Sequence, residues 1–197
     1  MQVSKRIFQL ETETAFAVLA KANDLASKGM DIINLGIGQP DFPTPNNIQE
    51  AAIKAIRDGK HGYTPSNGIP ELREAVSEKI FKDYETLINP ENILITPGGK
   101  PVIFISCLIF GGSDKEIIYP DPGFPIYKSM IDYTGAKAIP LNLIESKDST
   151  INPEKILSLI NDNTRLLILN NPNNPTGSFT EKKYIDQLAK GLKKFPN

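Results

Sequence analysis

Hydrophobic residues recur at helical spacing through the first part of the chain. In segment 11–28 apolar side chains return every three or four residues, and Gly29 follows at the position of a C-terminal cap. Similar spacing marks segments 47–58 and 70–84, the second of which begins with proline, a favoured first-turn residue. The pattern predicts three helices with buried apolar stripes, and a short apolar strand at 31–35.

From residue 90 onward, short apolar strands alternate with helices. The predicted strands are 92–96, 116–119, 137–143 and 165–170, and the predicted helices are 100–110, 125–133, 153–160 and 180–194. This alternation is typical of an α/β fold, in which a mostly parallel sheet carries helices on both faces. Helix 100–110 is almost wholly apolar, so we expect it to be buried.

A loop rich in glycine and proline, residues 36–45, separates the first helix from the rest of the chain. Such a density of glycine and proline excludes regular structure and is typical of a junction. We therefore predict an N-terminal arm and first segment at residues 1–45 and a main α/β domain at residues 46–197.

Composition excludes several classes of function. A net charge of −1 gives no reason to expect a nucleic acid or a membrane surface as partner. The longest apolar run, 102–110, is too short to span a bilayer, and the chain does not open with a secretory signal. The only cysteine, Cys107, cannot form an internal disulfide, which fits a cytoplasmic location. With His61 as the only histidine, neither a zinc site nor a Cys/His nucleophile pair is favoured.

Three loops follow strands and precede helices, where open α/β sheets bind ligands. In the first, Gly98 and Gly99 let the backbone approach a ligand, and the helix that starts at Lys100 offers free N–H groups to an anion. A tight turn capped by water is the alternative. The spacing matches neither a Walker A loop nor a Rossmann fingerprint.

The other two loops are stiffened by proline. Loop 119–127 presents Phe124, whose ring either stacks on a flat heterocycle or belongs to the core under the turn. Loop 170–177, Asn-Asn-Pro-Asn-Asn-Pro-Thr-Gly, offers amide donors and acceptors on a backbone locked by proline, where a cis X–Pro bond is expected. A simple asparagine-capped loop is the alternative for this segment.

The Asn-Pro-Thr-Gly motif, with the Gly-Gly-Lys turn upstream, resembles the class I/II aminotransferases. These are fold-type I pyridoxal-phosphate enzymes, and the resemblance is strongest to their aspartate-aminotransferase-like branch. Three further motifs, at 36–45, 68–73 and 118–127, are similar to family motifs and occur in the family order. The resemblance implies an incomplete large domain, with the N-terminal arm and first helix belonging to the small domain.

The resemblance assigns roles around pyridoxal 5′-phosphate. It implies that Gly98, Gly99 and Lys100 hold the phosphate, largely through the backbone, and that Phe124 stacks on the ring. It also implies that Asn174 donates to the phenolic oxygen, that Tyr63 reaches the phosphate of the partner subunit, and that Gly38 lies against the substrate carboxylate. The role of Tyr63 implies a homodimer. An amino acid and a 2-oxo acid would be the substrates of an aminotransferase.

The family's Schiff-base lysine follows the Asn-Pro-Thr-Gly segment, and the chain ends before it. We therefore assign no catalytic residue and expect these 197 residues alone not to transaminate. A C–S lyase on the same fold uses the same cofactor cradle and is one alternative. A non-catalytic cofactor-binding or dimerising fragment is another. A generic nucleotide-binding domain is disfavoured by the absence of Walker and Rossmann glycines.

Overall fold

The computed structural model describes residues 2–4, 7–8, 10, 14–143 and 151–195. The chain divides into two compact units, one of Met1–Thr14 with Lys100–Asn197 and one of Ala15–Gly99. We call them the sheet unit and the helical unit. The domain division at residues 45 and 46 stays a prediction.

The helical unit confirms the three helices predicted from the apolar spacing. They are α1 (Thr14–Ser27), α2 (Asn46–Arg57) and α3 (Pro70–Tyr84), and a 3-10 helix follows at Pro90–Asn92. Pro70 occupies the first turn of α3, where its missing N–H leaves no intrahelical bond unmade. The helix stops where Glu85 adopts a left-handed conformation with φ 54°.

Two predicted strands of the helical unit, 31–35 and 92–96, are wrong. Neither segment forms a β-ladder in the described part of the chain. Near the second, the N–H of Ile93 closes the 3-10 turn on Pro90, and the N–H of Ile95 donates to the loop carbonyl of Asn67. A short apolar run favours an extended chain, but only a neighbouring strand makes it part of a sheet.

The apolar stripes predicted for this unit are not buried either. No residue of α2 is buried, and Ile56 is 70% exposed. In α3 the buried side chains are Arg73 and Ser77, both polar. An amphipathic helix buries its apolar stripe only against an opposing apolar surface, and the described residues of this unit contain no sheet that could supply one.

The sheet unit confirms the predicted α/β alternation. Its strands are β1 (Glu116–Asp121), β2 (Lys137–Asn142) and β3 (Thr164–Leu167), and its helices are α4 (Lys100–Phe110), α5 (Ile126–Thr134), α6 (Pro153–Leu159) and α7 (Lys182–Leu192). All pairings are parallel, in the order β2-β1-β3. The third strand ends earlier than predicted, at Leu167 instead of 170.

Alternating residues of the central strand β1 enter two hydrophobic clusters. Ile117 and Tyr119 pack in one cluster with side chains of α4 and α5, including Cys107, Tyr127 and Ile131. Ile118 packs in the other with Leu141 of β2, Ile156 of α6 and Leu188 of α7. Because neighbouring strand residues point to opposite faces, the sheet is covered by helices on both sides, as the fold class requires.

Helix α4 is only partly buried, so the prediction that it is buried as a whole is wrong. Cys107 is its single buried residue, whereas Val102, Ile105 and Ile109 are 43–66% exposed. One face packs with the first cluster of the sheet, and an apolar composition all round does not by itself supply a second packing partner. None of the described helices combines the length and apolar character needed to cross a bilayer.

Candidate functional site

The candidate site lies where two adjacent strands of the sheet unit end. Strand β1 ends at Asp121 and β3 at Leu167, and both strands run in the same direction. Their carboxyl ends therefore share one edge of the sheet, the usual place for ligands in such folds. We call residues 120–125 the Phe124 turn and residues 170–177 the asparagine loop.

The Phe124 turn is tightly folded. The Asp121–Pro122 bond is cis, and a Cβ added at Gly123 would lie 2.1 Å from the carbonyl oxygen of Pro120. Phe124 is partly buried against the first cluster, and its ring meets Tyr127 edge-on, with centroids 5.9 Å apart at 83°. One part of the ring thus belongs to the core, while the remaining surface is accessible.

Lys100 lies beside this ring. It is the first residue of α4, and its Nζ lies 5.9 Å from the centroid of the Phe124 ring, within the range of a cation–π contact. Two residues that the sequence placed on separate loops are therefore brought together. The pair combines a positive charge at a helix start with an aromatic face.

Side-chain amides of the asparagine loop form hydrogen bonds with backbone groups inside the loop and with Thr180 beyond it. Its Asn171–Pro172 and Asn174–Pro175 bonds are both cis, in agreement with the expectation of a cis bond here. Asn171 pairs with the backbone of Thr180, accepting at 2.8 Å and donating at 3.3 Å. In the amide orientation that satisfies both its polar atoms, Asn170 accepts a bond of 2.8 Å from the N–H of Asn174.

Asn173 connects the two loops and is not among the site residues predicted from the sequence. Its side chain is buried, and its Nδ2 donates to Pro122 O at 3.1 Å and to Thr176 Oγ1 at 3.0 Å. Its neighbour Asn174, the residue predicted to bind the cofactor, is exposed. Sequence alone marks the Asn-Asn pair but does not tell which member turns inward.

The other predicted residues belong to the helical unit. Gly98 has φ +84°, and its N–H donates to Thr96 O while its carbonyl accepts from Thr96 Oγ1 at 2.6 Å. A Cβ added at Gly38, Gly98 or Gly99 would meet nothing within 4 Å, and Tyr63 is fully exposed. These local facts are compatible with the predicted roles, which stay predictions.

The surroundings of Cys107 do not favour a nucleophilic role. His61 is exposed, whereas Cys107 is completely buried, and burial raises the pKa of its thiol. A raised pKa disfavours the nucleophilic thiolate. Among the described residues, no three His, Cys, Asp or Glu side chains gather into a group that could hold a metal ion.

Known proteins of similar sequence are aminotransferases. A probable aspartate/prephenate aminotransferase of Aquifex aeolicus is 34% identical over 95% of this chain and 48% of its own length. An aspartate aminotransferase of Pyrococcus horikoshii is 44% identical over 83% of this chain and 42% of its own length. The chain thus spans about half the length of the curated relatives it matches.

Solved structures with a similar fold include aminotransferases as well. The aspartate aminotransferase of Thermus thermophilus with maleate superposes with a TM-score of 0.92 at 32% identity, covering 98% of this chain and 51% of that one. In addition, the sequence profile of the family "Aminotransferase class I and II" matches residues 30–196. The chain therefore belongs to the class I and II aminotransferase family.

Proposed function

We propose that this chain is the cofactor-binding part of a pyridoxal-phosphate-dependent aminotransferase, which moves an amino group between an amino acid and a 2-oxo acid. Members of the family depend on this cofactor. The proposal depends on one arrangement of contacts. Lys100 Nζ lies 5.9 Å from the centroid of the Phe124 ring, and the hydrogen bond from Asn173 Nδ2 to Pro122 O attaches the asparagine loop to the same turn.

The donor set fits the chemistry of the cofactor. Pyridoxal phosphate combines a phosphate anion, a flat heteroaromatic ring and a phenolic oxygen. The ammonium group of Lys100 at the start of α4 suits the anion, since both the charge and the helix N-terminus favour it. Phe124 offers an aromatic face, and Asn174 carries an amide donor on the exposed side of its loop.

Each of these side chains has a defined task in the proposal. Lys100 binds the phosphate, Phe124 orients the ring by stacking, and Asn174 donates to the phenolic oxygen and thereby favours its ionised form. Bound pyridoxal phosphate supplies an electron sink for the amino-acid substrate. None of the three residues is assigned a proton-transfer step, because the predicted role of each is to bind the cofactor.

Four further assignments complete the proposal. Gly98 and Gly99 would bring backbone N–H groups to the phosphate, Gly38 would lie against the substrate carboxylate, and Tyr63 would reach the phosphate of a partner subunit in a homodimer. The full exposure of Tyr63 is compatible with that intersubunit role. We also propose a cytoplasmic location, on the basis of the single unpaired cysteine.

Binding of pyridoxamine phosphate tests the proposal. This form carries the ring, the phenolic oxygen and the phosphate but no aldehyde, so surface lysines cannot react with it. We expect the chain to bind it, and we expect Lys100→Met to weaken binding about tenfold or more, as loss of a charge-assisted contact should.

The control is Lys190→Met, which removes the same charge from an exposed position on α7. It should bind pyridoxamine phosphate like the unaltered chain in equilibrium dialysis. If the unaltered chain fails to bind, or if the two lysine variants lose affinity equally, the proposed cofactor site is wrong.

Activity assays separate the alternatives. An aminotransferase containing this segment consumes an amino acid only when a 2-oxo acid is present, whereas a C–S lyase releases pyruvate and ammonia without one. We expect the 197 residues alone to give no turnover above free pyridoxal phosphate. Binding without turnover agrees with a cofactor-binding segment, and absence of binding favours a purely dimerising fragment.

A further inference from the structure

The contact between the asparagine loop and the Phe124 turn depends on one buried side chain. Asn173 is 5% exposed, whereas Asn174, which is proposed to meet the cofactor, is exposed. The two asparagines are adjacent, so any movement of Asn173 also moves Asn174. The position of the cofactor-binding amide is therefore linked to the contacts of its buried neighbour.

Asn173 is fixed at three points. Its backbone N–H donates to Ser178 O at 2.9 Å, and its carbonyl accepts from the N–H of Gly177 at 2.7 Å. Its side-chain nitrogen then crosses to the other loop and donates to Pro122 O at 3.1 Å. The backbone bonds hold Asn173 within its own loop, and the side-chain bond attaches that loop to the turn that presents Phe124.

The amide group is oriented by its nitrogen alone. Nδ2 serves both Pro122 O and Thr176 Oγ1, while the buried Oδ1 has no hydrogen-bond partner among the described residues. An unpaired buried acceptor is unfavourable. The donor at this position must therefore matter more for the local structure than the acceptor.

We propose that Asn173 is a positioning residue, which holds the asparagine loop against the Phe124 turn so that Asn174 and Phe124 act on the same cofactor ring. The inference rests on the proposed function, because it assumes that those two residues bind the ring. It assigns to Asn173 no contact with the cofactor.

Replacement by aspartate probes this role directly. Asn173→Asp keeps the size of the side chain but replaces the donor nitrogen by an acceptor, which would face the carbonyl oxygen of Pro122. The cross-loop bond is then lost and the loops separate. Asn174 should donate less well to the phenolic oxygen, so the pKa of that oxygen in the bound ring should rise, because its ionised form loses stabilisation.

The same asparagine loop offers a matched control. Asn171→Asp introduces the same charge, but Asn171 pairs with Thr180 and keeps its acceptor bond of 2.8 Å after the change. We expect Asn173→Asp to bind pyridoxamine phosphate about tenfold more weakly than Asn171→Asp. The absorbance of the bound ring, followed against pH, should show the raised pKa only for Asn173→Asp.

A second variant and a double mutant keep the test valid if Asn173→Asp does not fold. Thr176→Val removes one acceptor of the Asn173 amide without adding charge, and it should weaken binding in the same direction by a smaller factor. If Asn173 acts through Asn174, the combination of Asn173→Asp, or of Thr176→Val, with Asn174→Ala should cost less affinity than the sum of the single changes.

The outcomes distinguish this inference from the proposed function. If the unaltered chain does not bind pyridoxamine phosphate, the proposed function fails and the inference fails with it. If the chain binds and Lys100→Met weakens binding, the function stands. The inference is then overturned when Asn173→Asp matches Asn171→Asp in affinity and pKa, or when its effect adds fully to that of Asn174→Ala.

Discussion

Gly123 shows how one missing side chain shapes the candidate site. A Cβ at this position would lie 2.1 Å from Pro120 O and 3.1 Å from the Pro120 carbonyl carbon, so an alanine cannot fit unless the backbone moves. The constraint comes from close approach of two backbone segments, because the φ angle of Gly123 is not in the left-handed region. The orientation of Phe124 in the next position depends on this turn.

We therefore expect Gly123→Ala to lower the free energy of unfolding by about 1–3 kcal/mol, the usual cost of forcing atoms into a packed site. Binding of pyridoxamine phosphate should weaken as well, since Phe124 is displaced. Gly62→Ala is the control, because a Cβ there meets nothing within 4 Å. Equal urea midpoints for the two variants, measured by circular dichroism, would contradict the steric argument.

At the scale of elements, a buried arginine fastens α3 to the 3-10 helix Pro90–Asn92. Arg73 has a side chain only 7% exposed, and it donates to Gly68 O, Pro90 O and Glu91 Oε1 at 3.0–3.3 Å. Its ion-pair partner Glu91 is 71% exposed. The two ends of this salt bridge should therefore contribute unequally to stability.

We expect Arg73→Ala to lower the free energy of unfolding by about 2–4 kcal/mol, because it removes the buried guanidinium group that donates to the carbonyl oxygens of Gly68 and Pro90. Glu91→Ala should cost no more than about 1 kcal/mol, as for other solvent-exposed ion pairs. Urea titrations of both variants measure the difference. Equal losses would show that the ion pair, and not the pair of carbonyl bonds, dominates this junction.

The stability of a second junction, where Glu116 of β1 meets Lys137 of β2 and Asn161, depends on pH. Glu116, at the start of β1, accepts from Asn161 Nδ2 at 2.7 Å and from Lys137 Nζ at 2.9 Å. The hydrogen bond from Asn161, followed by that from Lys137, lowers the pKa of this carboxyl group. A lowered pKa in the folded state stabilises the fold above the ordinary glutamate pKa of about 4.3, and the contribution disappears as the pH falls through the folded value.

The free energy of unfolding should therefore fall less steeply below about pH 4.3 in Glu116→Gln than in the unaltered chain. Glu74→Gln, which removes the same charge from the exposed side of α3, is the control. Urea titrations over a series of acidic buffers measure both slopes. If Glu116→Gln retains the full decline, other carboxyl groups are responsible for it.

The junctions also explain which elements could be predicted from sequence. The strand predicted at β1 is correct because β2 and β3 pair with it on either side. Segments 31–35 and 92–96 are similarly apolar, but a strand requires a partner and composition does not reveal one. The helix that begins at Lys100 could be predicted from its apolar run, and the turn that holds Phe124 from its prolines after a strand. The roles of these two residues at a cofactor stay predictions. Asn173 could not be predicted, since the backbone path of the loop decides which asparagine is buried.

At the scale of the whole molecule, the unburied face of α4 is the clearest departure from what the apolar sequence predicts. Val102, Ile105 and Ile109 fall at helical spacing on one face, with Leu108 beside them, and all four are 43–66% exposed. On the opposite face Cys107 is fully buried in the sheet cluster. A contiguous exposed apolar surface of this kind promotes association of chains.

We expect Ile105→Lys combined with Ile109→Glu to raise the solubility of this chain and to lower its binding of a hydrophobic dye. The same pair should change the free energy of unfolding by no more than about 0.5 kcal/mol per substitution, as at other surface positions.

Ile103→Lys is the control on the packed face, where a charge meets the first cluster and should destabilise the sheet unit strongly. Light scattering against concentration measures association, and urea titration measures stability. If the exposed-face pair destabilises the chain as much as Ile103→Lys does, that face of α4 is packed in solution. The apolar composition of the helix would then reflect burial after all.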